Sequence, residues 1–188
     1  MRIFGIVMAP FILSGIEVET VHLSVNSKNK CTYCTNLHCN LGRMAGMIDA
    51  EGLNAGKTCD LDQVSKAINT FAIKFADNQQ IAPKDLEKEI GAAKAASTTA
   101  LCWFLHWGSY SGLTLDSALK TLFQSPDIFK ILFIFYYGPL FVVIIVVSKL
   151  LGLFPSNGPA IINQIMGVVL ALVASIWIIP LGILGAFV

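Results

Sequence analysis

Between Ile131 and Val188 the chain carries one charged side chain, Lys149, while the rest of its charge lies at or before Lys130. A segment like that cannot form the surface of a water-soluble domain, so it belongs either inside a core or in lipid. Ile131–Val147 supplies 17 uncharged residues, extendable to Leu153 if Lys149 snorkels to the interface, and this is enough to cross the hydrocarbon of a bilayer. Phe154-Pro155-Ser156-Asn157-Gly158-Pro159 reads as a turn, and Ala160–Val188 as a second apolar run broken only by Asn163 and Gln164. The expectation is a transmembrane helical hairpin over 128–188. The residues before it are too few to wrap two such helices on every side. Pro139 and Pro180 are compatible with spans, where neighbouring groups satisfy the freed carbonyls. Lys120 and Lys130 on the domain side, against Lys149 in the loop, lean the preceding domain toward the cytoplasmic or equivalent reducing face.

Composition sharpens the division. The chain is 55% hydrophobic and 13% charged, with a formal net charge of +1 and a mean hydropathy of +0.68. It has no Lys/Arg stripe to track phosphates, which excludes nucleic acid as a partner. The five cysteines, at 31, 34, 39, 59 and 102, are an odd and unevenly spaced set. They fit a reducing compartment or a working dithiol better than a secreted disulfide framework. Met1-Arg2 followed by the apolar run Ile3–Leu13 has the outline of a secretory signal. Because the run passes without a polar break into residues the site needs, we read it instead as the first buried helix.

Residues 1–127 show helix-period patterning and no sustained alternation of period two, so this part reads as an all-α domain of about 125 residues with its own core. Met1–Ser27 reads as helical, broken or kinked near Pro10, with Ile16, Glu19, Thr20 and Leu23 recurring at helical spacing beyond it. Ser27-Lys28-Asn29-Lys30 is a turn, a second helix begins near Cys31, and Gly52–Cys59 is a loop. Leu61–Asp77 is amphipathic through Val64, Ala67, Ile68, Phe71 and Phe75. Pro83 opens a helix that runs, with or without a break near Gly91, to Gly108. Thr114-Leu115-Asp116 starts one more short helix that ends near Pro126.

The chemistry concentrates in Cys31-Thr32-Tyr33-Cys34-Thr35-Asn36-Leu37-His38. On a helix, Cys31, Cys34 and His38 fall within an arc of about 60° and stack on one face. A Cys-x-x-Cys at a helix start lets the N-terminus acidify one thiol while the other closes the disulfide. His38, one turn on, can carry the proton. Glu19 is, with Glu17, one of two carboxylates in an otherwise uncharged stretch, and His38 is its natural partner. Zinc held by Cys31, Cys34, His38 and Cys39 has suitable donors, but one continuous helix can hardly enclose a tetrahedral ion. Covalent haem is disfavoured because Thr35, not His, follows Cys34. We therefore expect no metal and no cofactor. Cys39, Cys59 and Cys102 read as small buried hydrophobes. His22 could join Glu19 but reads first as an ordinary core or surface histidine, and His106, among Trp103, Phe104, Leu105 and Trp107, as core or interfacial belt.

Glu19, twelve residues before Cys31, then Ser24-Val25-Asn26 and the Cys-x-x-Cys-x-x-x-His run, resembles the carboxymuconolactone decarboxylase and AhpD-like alkylhydroperoxidase superfamily. The resemblance covers about Ile16–Leu119, is strongest over Glu19–Gly46, and leaves the apolar C-terminal third outside. It implies an all-helical domain that forms homo-oligomers and a thiol peroxidase chemistry. In that chemistry Cys34 is oxidised by a hydroperoxide, Cys31 resolves it to a disulfide, and Glu19 and His38 relay the proton. In peroxidase members a further His often precedes the second cysteine, and here that position is Tyr33. Decarboxylase members generally lack the cysteine pair, so decarboxylation is the lesser expectation.

Two functions of different class follow. One is a membrane-anchored thiol oxidoreductase, taking a hydroperoxide or disulfide substrate and a thiol electron donor beside the lipid bilayer. The other is an accessory subunit of a larger membrane complex that retains the redox fold while its hairpin docks on partner helices.

Overall fold

Ser14 accepts the amide hydrogen of Glu17 on its Oγ at 3.2 Å and donates its own amide hydrogen to Glu17 Oε2 at 2.7 Å, a reciprocal capping box. This pair divides the first two helices, α1 (Arg2–Ile12) and α2 (Gly15–Asn29). The break expected near Pro10 therefore falls four residues later. Pro10 sits inside α1 and forfeits one helical hydrogen bond there, whereas Ser14 and Glu17 together satisfy two amides that a helix start would leave orphaned. The structure, a computed structural model, describes residues 2–57, 60–79 and 82–153, together with Ile165 and Val169.

All regular structure among the described residues is helical. Lys30 ends α2 in the left-handed region at φ 59°, its amide bonded to Asn26 O at 2.8 Å, and α3 (Thr32–Met44) starts immediately after Cys31. Part of the expected loop after α3 is helical: Asp49 caps Gly52 N at 2.8 Å and opens α4 (Ala50–Asn54). Asp62 caps α5 (Gln63–Ala76) through Ser65 N at 2.6 Å. Pro83 begins α6 (Pro83–Ile90), and Gly91, at φ 84°, separates it from α7 (Ala92–Thr121).

The separate helix expected from Thr114 does not form, because α7 continues through 30 residues to Thr121. Gly108 and Gly112 weaken a helix only modestly, and Gly112 has a packing reason to be there. A Cβ on it would lie 2.8 Å from Cys31 Sγ and 3.0 Å from Phe141 Cε1. The glycine lets three elements meet.

α2 is the hub of the domain, buried along most of its length from Glu17 to Ser27 and packed on α3, α5 and α7. Several of its inward polar groups find partners within α2 or on α5. Ser24 Oγ, for example, lies 2.5 Å from Thr20 O and 2.7 Å from Asn69 Oδ1.

Asp127 caps the last described helix, α8 (Ile128–Leu151), through Phe129 N at 2.9 Å. At 24 residues it is long and apolar enough to cross a membrane, and it stays helical through Pro139. It does not stand apart from the domain. Tyr137, Leu140, Phe141, Ser148 and Leu151 are buried, and Ile144 packs with them, a stripe of alternating three- and four-residue steps that lies along α3 and α7. Asn40 of α3 donates from Nδ2 to Ser148 O at 2.8 Å across this seam. Phe135, Val142, Val146 and Leu150 face outward. The second span expected over Ala160–Val188, and the turn before it, lie outside the described residues.

Candidate thiol and acid-base site

Glu19 lies on α2 and His38 on α3, and the packing of these two helices brings Glu19 Oε2 to 2.8 Å from His38 Nδ1. Both residues are buried, each 6% exposed. Burial alone would raise the Glu19 carboxyl, but His38 and His22 together outweigh it and hold the group down at about 2. With the carboxylate ionised, His38 donates through Nδ1 and keeps Nε2 as its proton acceptor.

His22, one turn beyond Glu19 on the same helix, joins them. Its Nδ1 is 3.6 Å from Glu19 Oε2, its ring centroid lies 4.1 Å from that of His38, and neither of its nitrogens has a hydrogen-bond partner. Burial, followed by the neighbouring His38, lowers its pKa against the pull of Glu19. His22 is the buried core histidine read from the sequence, and its place on α2 also sets it beside Glu19 and His38. The signal was available, since positions three apart share a helix face.

Cys31 is the N-cap of α3 and is fully buried. Its position comes from Asn26, whose Oδ1 accepts the Cys31 amide hydrogen at 3.0 Å while Nδ2 donates to Thr35 Oγ1 and Asn54 Oδ1, each at 2.8 Å. The Cys31 thiol is lowered to about 7, first by the Cys34 side chain, against burial, and then by the Cys34 and Tyr33 amides at the helix start. Cys34 is pushed the other way by Cys31 and by burial, and its Sγ lies 3.7 Å from Ser109 Oγ on α7. Within the pair the negative charge is thus favoured on Cys31.

Cys34, His38, His22 and Glu19 all line one apolar cavity of about 120 Å³ between α1, α2, α3, α7 and α8. Tyr33 stands at its rim, its ring 4.9 Å from that of Phe141 on α8. Glu19, His22 and His38 also bring three potential ligand atoms within 4.8 Å of one another. One carboxylate and two imidazoles suit Zn²⁺ or Fe²⁺ by donor type. This is not the cysteine-rich set weighed in the sequence, of which it keeps only His38. Cys39 packs elsewhere, against Leu23, Met47 and Leu53, and burial pushes its thiol up to about 11. Cys102 is fully buried, with its thiol likewise pushed up by burial. Cys59 lies outside the described residues. His106 sits away from the site, its ring 5.8 Å from Phe75 and 4.7 Å from Tyr110.

Ser109, Asn26 and the α8 wall of the cavity are the parts of the site that sequence reading did not find. Ser109 and the α8 wall depend on contacts between distant segments, whereas Asn26 acts on Cys31 and Thr35 just beyond it in the chain. No protein-family model, no curated protein and no solved structure matches the chain.

Proposed function

We propose that this chain is a membrane-anchored thiol oxidoreductase of the AhpD-like kind, working through Cys31 and Cys34 with Glu19 and His38 as the proton relay. The observation that carries the reading is the buried Glu19–His38 hydrogen bond at 2.8 Å, opening on the same cavity as Cys34. A carboxylate that orients an imidazole one helical turn from a thiol is the arrangement that moves a proton off sulfur and onto a leaving oxygen.

With a hydroperoxide, the Cys34 sulfur attacks the terminal oxygen. An S–O bond forms, the O–O bond breaks, and the alkoxide leaves as alcohol with the proton delivered by His38. Cys31 then attacks the sulfenic acid of Cys34, an S–S bond forms, and water leaves. The peroxide gains the two electrons that the dithiol loses, and a thiol donor restores the pair. Cys34 is given the attacking role by the resemblance and by its place on the cavity wall, its proton passing to His38, although Cys31 is the more acidic thiol; Cys31, outside the lining, resolves.

Thiol counts on the purified protein, before and after one equivalent of an alkyl hydroperoxide, test the reading. Two thiols should disappear from wild type, and a sulfenic acid should be trapped in Cys31→Ser. Thiols that do not react would favour an accessory subunit of a membrane complex. The outward apolar face of α8, with Phe135 84% exposed, is the observation that supports this second reading. Such a subunit would co-purify with unrelated polypeptides and keep its place in Cys34→Ser.

A further inference from the structure

Most of the cavity does nothing for acid-base chemistry. Glu19, His22, His38 and Cys34 gather its reactive groups, and the rest of the wall is mainly hydrocarbon and aromatic, including Phe104, Leu140 and Phe141. A water-soluble peroxide would gain little from such a chamber. An acyl chain would gain by the area it buries.

The way in is also apolar. Val143 of α8 lines the cavity and is at the same time 45% exposed on the outer face of that helix. The partition between the chamber and the surface of α8 is therefore one side chain thick. Phe135, Val142 and Val146 continue that surface along the helix.

We infer that the cavity takes the hydroperoxide-bearing segment of a membrane-resident lipid chain, entering from the lipid side past α8, with the peroxide at the Cys34–His38 end and the adjoining methylenes among Phe104, Leu140 and Phe141, while the rest of the chain stays in the bilayer because about 120 Å³ holds only a few methylenes. This rests on the thiol oxidoreductase reading above and names its substrate class. The lipid hydroperoxide is reduced to the corresponding lipid alcohol and water while Cys31 and Cys34 form their disulfide. A single turnover needs no other reductant.

Gly108 supplies the test. It lines the cavity, and a Cβ built on it meets no atom within 4 Å, so Gly108→Leu would fill the chamber from α7 without a backbone clash. The full chain in lipid nanodiscs would be given a fatty-acid hydroperoxide dissolved in the bilayer or tert-butyl hydroperoxide in the water, and loss of thiols followed over one turnover. The expected result is faster oxidation by the bilayer peroxide, with the ratio of the two rates falling about tenfold in Gly108→Leu, the scale on which apolar pockets discriminate. Val143→Trp, which plugs the same chamber from the exposed side of α8, should lower the ratio too and guards against misfolding of the first variant. Equal rates for both peroxides, or a ratio that neither variant changes, would overturn the inference and leave the oxidoreductase reading standing. If neither peroxide consumes thiols, the oxidoreductase reading itself falls.

Discussion

Asn26 holds Cys31 by the backbone: its side-chain oxygen accepts the cysteine's amide hydrogen at 3.0 Å. The asparagine is buried, and its other end is bonded to Thr35 and Asn54, so a single amide fixes where α2 ends, where α3 begins and where the first thiol stands. Asn26→Ala should lower unfolding stability by about 1–3 kcal/mol, the range for leaving buried partners unsatisfied. It should also raise the Cys31 pKa, because the α3 amides would no longer be held beside the sulfur. Denaturant melts and thiolate absorbance against pH read the two effects separately. A variant as stable as wild type would show that Asn26 holds nothing.

The thiolate makes its own prediction. Ultraviolet thiolate absorbance should titrate with a first midpoint near the value of about 7 held by Cys31, well below an ordinary cysteine. Cys34→Ala removes the largest contribution to that lowering and should move the midpoint up, while Cys31→Ala should abolish the low step. If Cys31→Ala retains it, the acidic thiol is Cys34.

Acid stability follows from Glu19 and His22. Glu19 is held at about 2 against an ordinary 4.5, so the stability it contributes is complete above pH 4.5 and is lost as pH falls toward 2. His22 is buried with its pKa lowered from 6.5, so folding is also weakened as pH drops below 6.5 and the unfolded chain takes up a proton the native site resists. Urea midpoints measured across this range should decline in two stages. Glu19→Gln should flatten the lower stage and His22→Gln the upper one.

Gly112→Ala tests the three-way contact. A methyl group 2.8 Å from Cys31 Sγ and 3.0 Å from Phe141 has to push the sulfur or α8 aside, at a cost of about 1–3 kcal/mol by the usual scale of overpacking. Thermal melts should show the loss, and dithiol oxidation should slow along with it. Gly108→Ala, where a methyl group meets open space, should melt no lower than wild type.

The left-handed Lys30 offers a gain. At φ 59° an L-residue bears a steric cost that glycine avoids, so Lys30→Gly should stabilise the α2–α3 turn by up to about 1 kcal/mol. A lower melting temperature would mean that the Lys30 side chain contributes more than its backbone costs.

The reactive core of the site was legible because its members are few residues apart or of a rare kind. Cys31, Cys34 and His38 follow from one helix face, and Glu19 stood out as one of only two carboxylates before Asp49. What stayed hidden depended on partners far along the chain. The hydrogen-bonded role of Asn26 needs Asn54, Ser109 reaches Cys34 from α7, and the chamber needs Phe141. The helix end expected at Gly108 does not occur, and Gly112 one turn on lets α7 approach Cys31 and Phe141 of α8. Ser14 and Glu17 spell a capping box that the nearby Pro10 drew attention away from.

The seam from Tyr137 to Leu151 has a mechanical consequence. On the membrane-anchored reading α8 is wall as well as anchor, so the site does not swing on a tether and its height and orientation over the bilayer are those of the helix. A span that tilts to match a thicker or thinner membrane would carry Phe141 and Ile144 with it against Tyr33 and Leu37. On the membrane-anchored reading, bilayer thickness becomes a control on the shape of the active site, and lipid composition could tune the rate with no ligand bound at all.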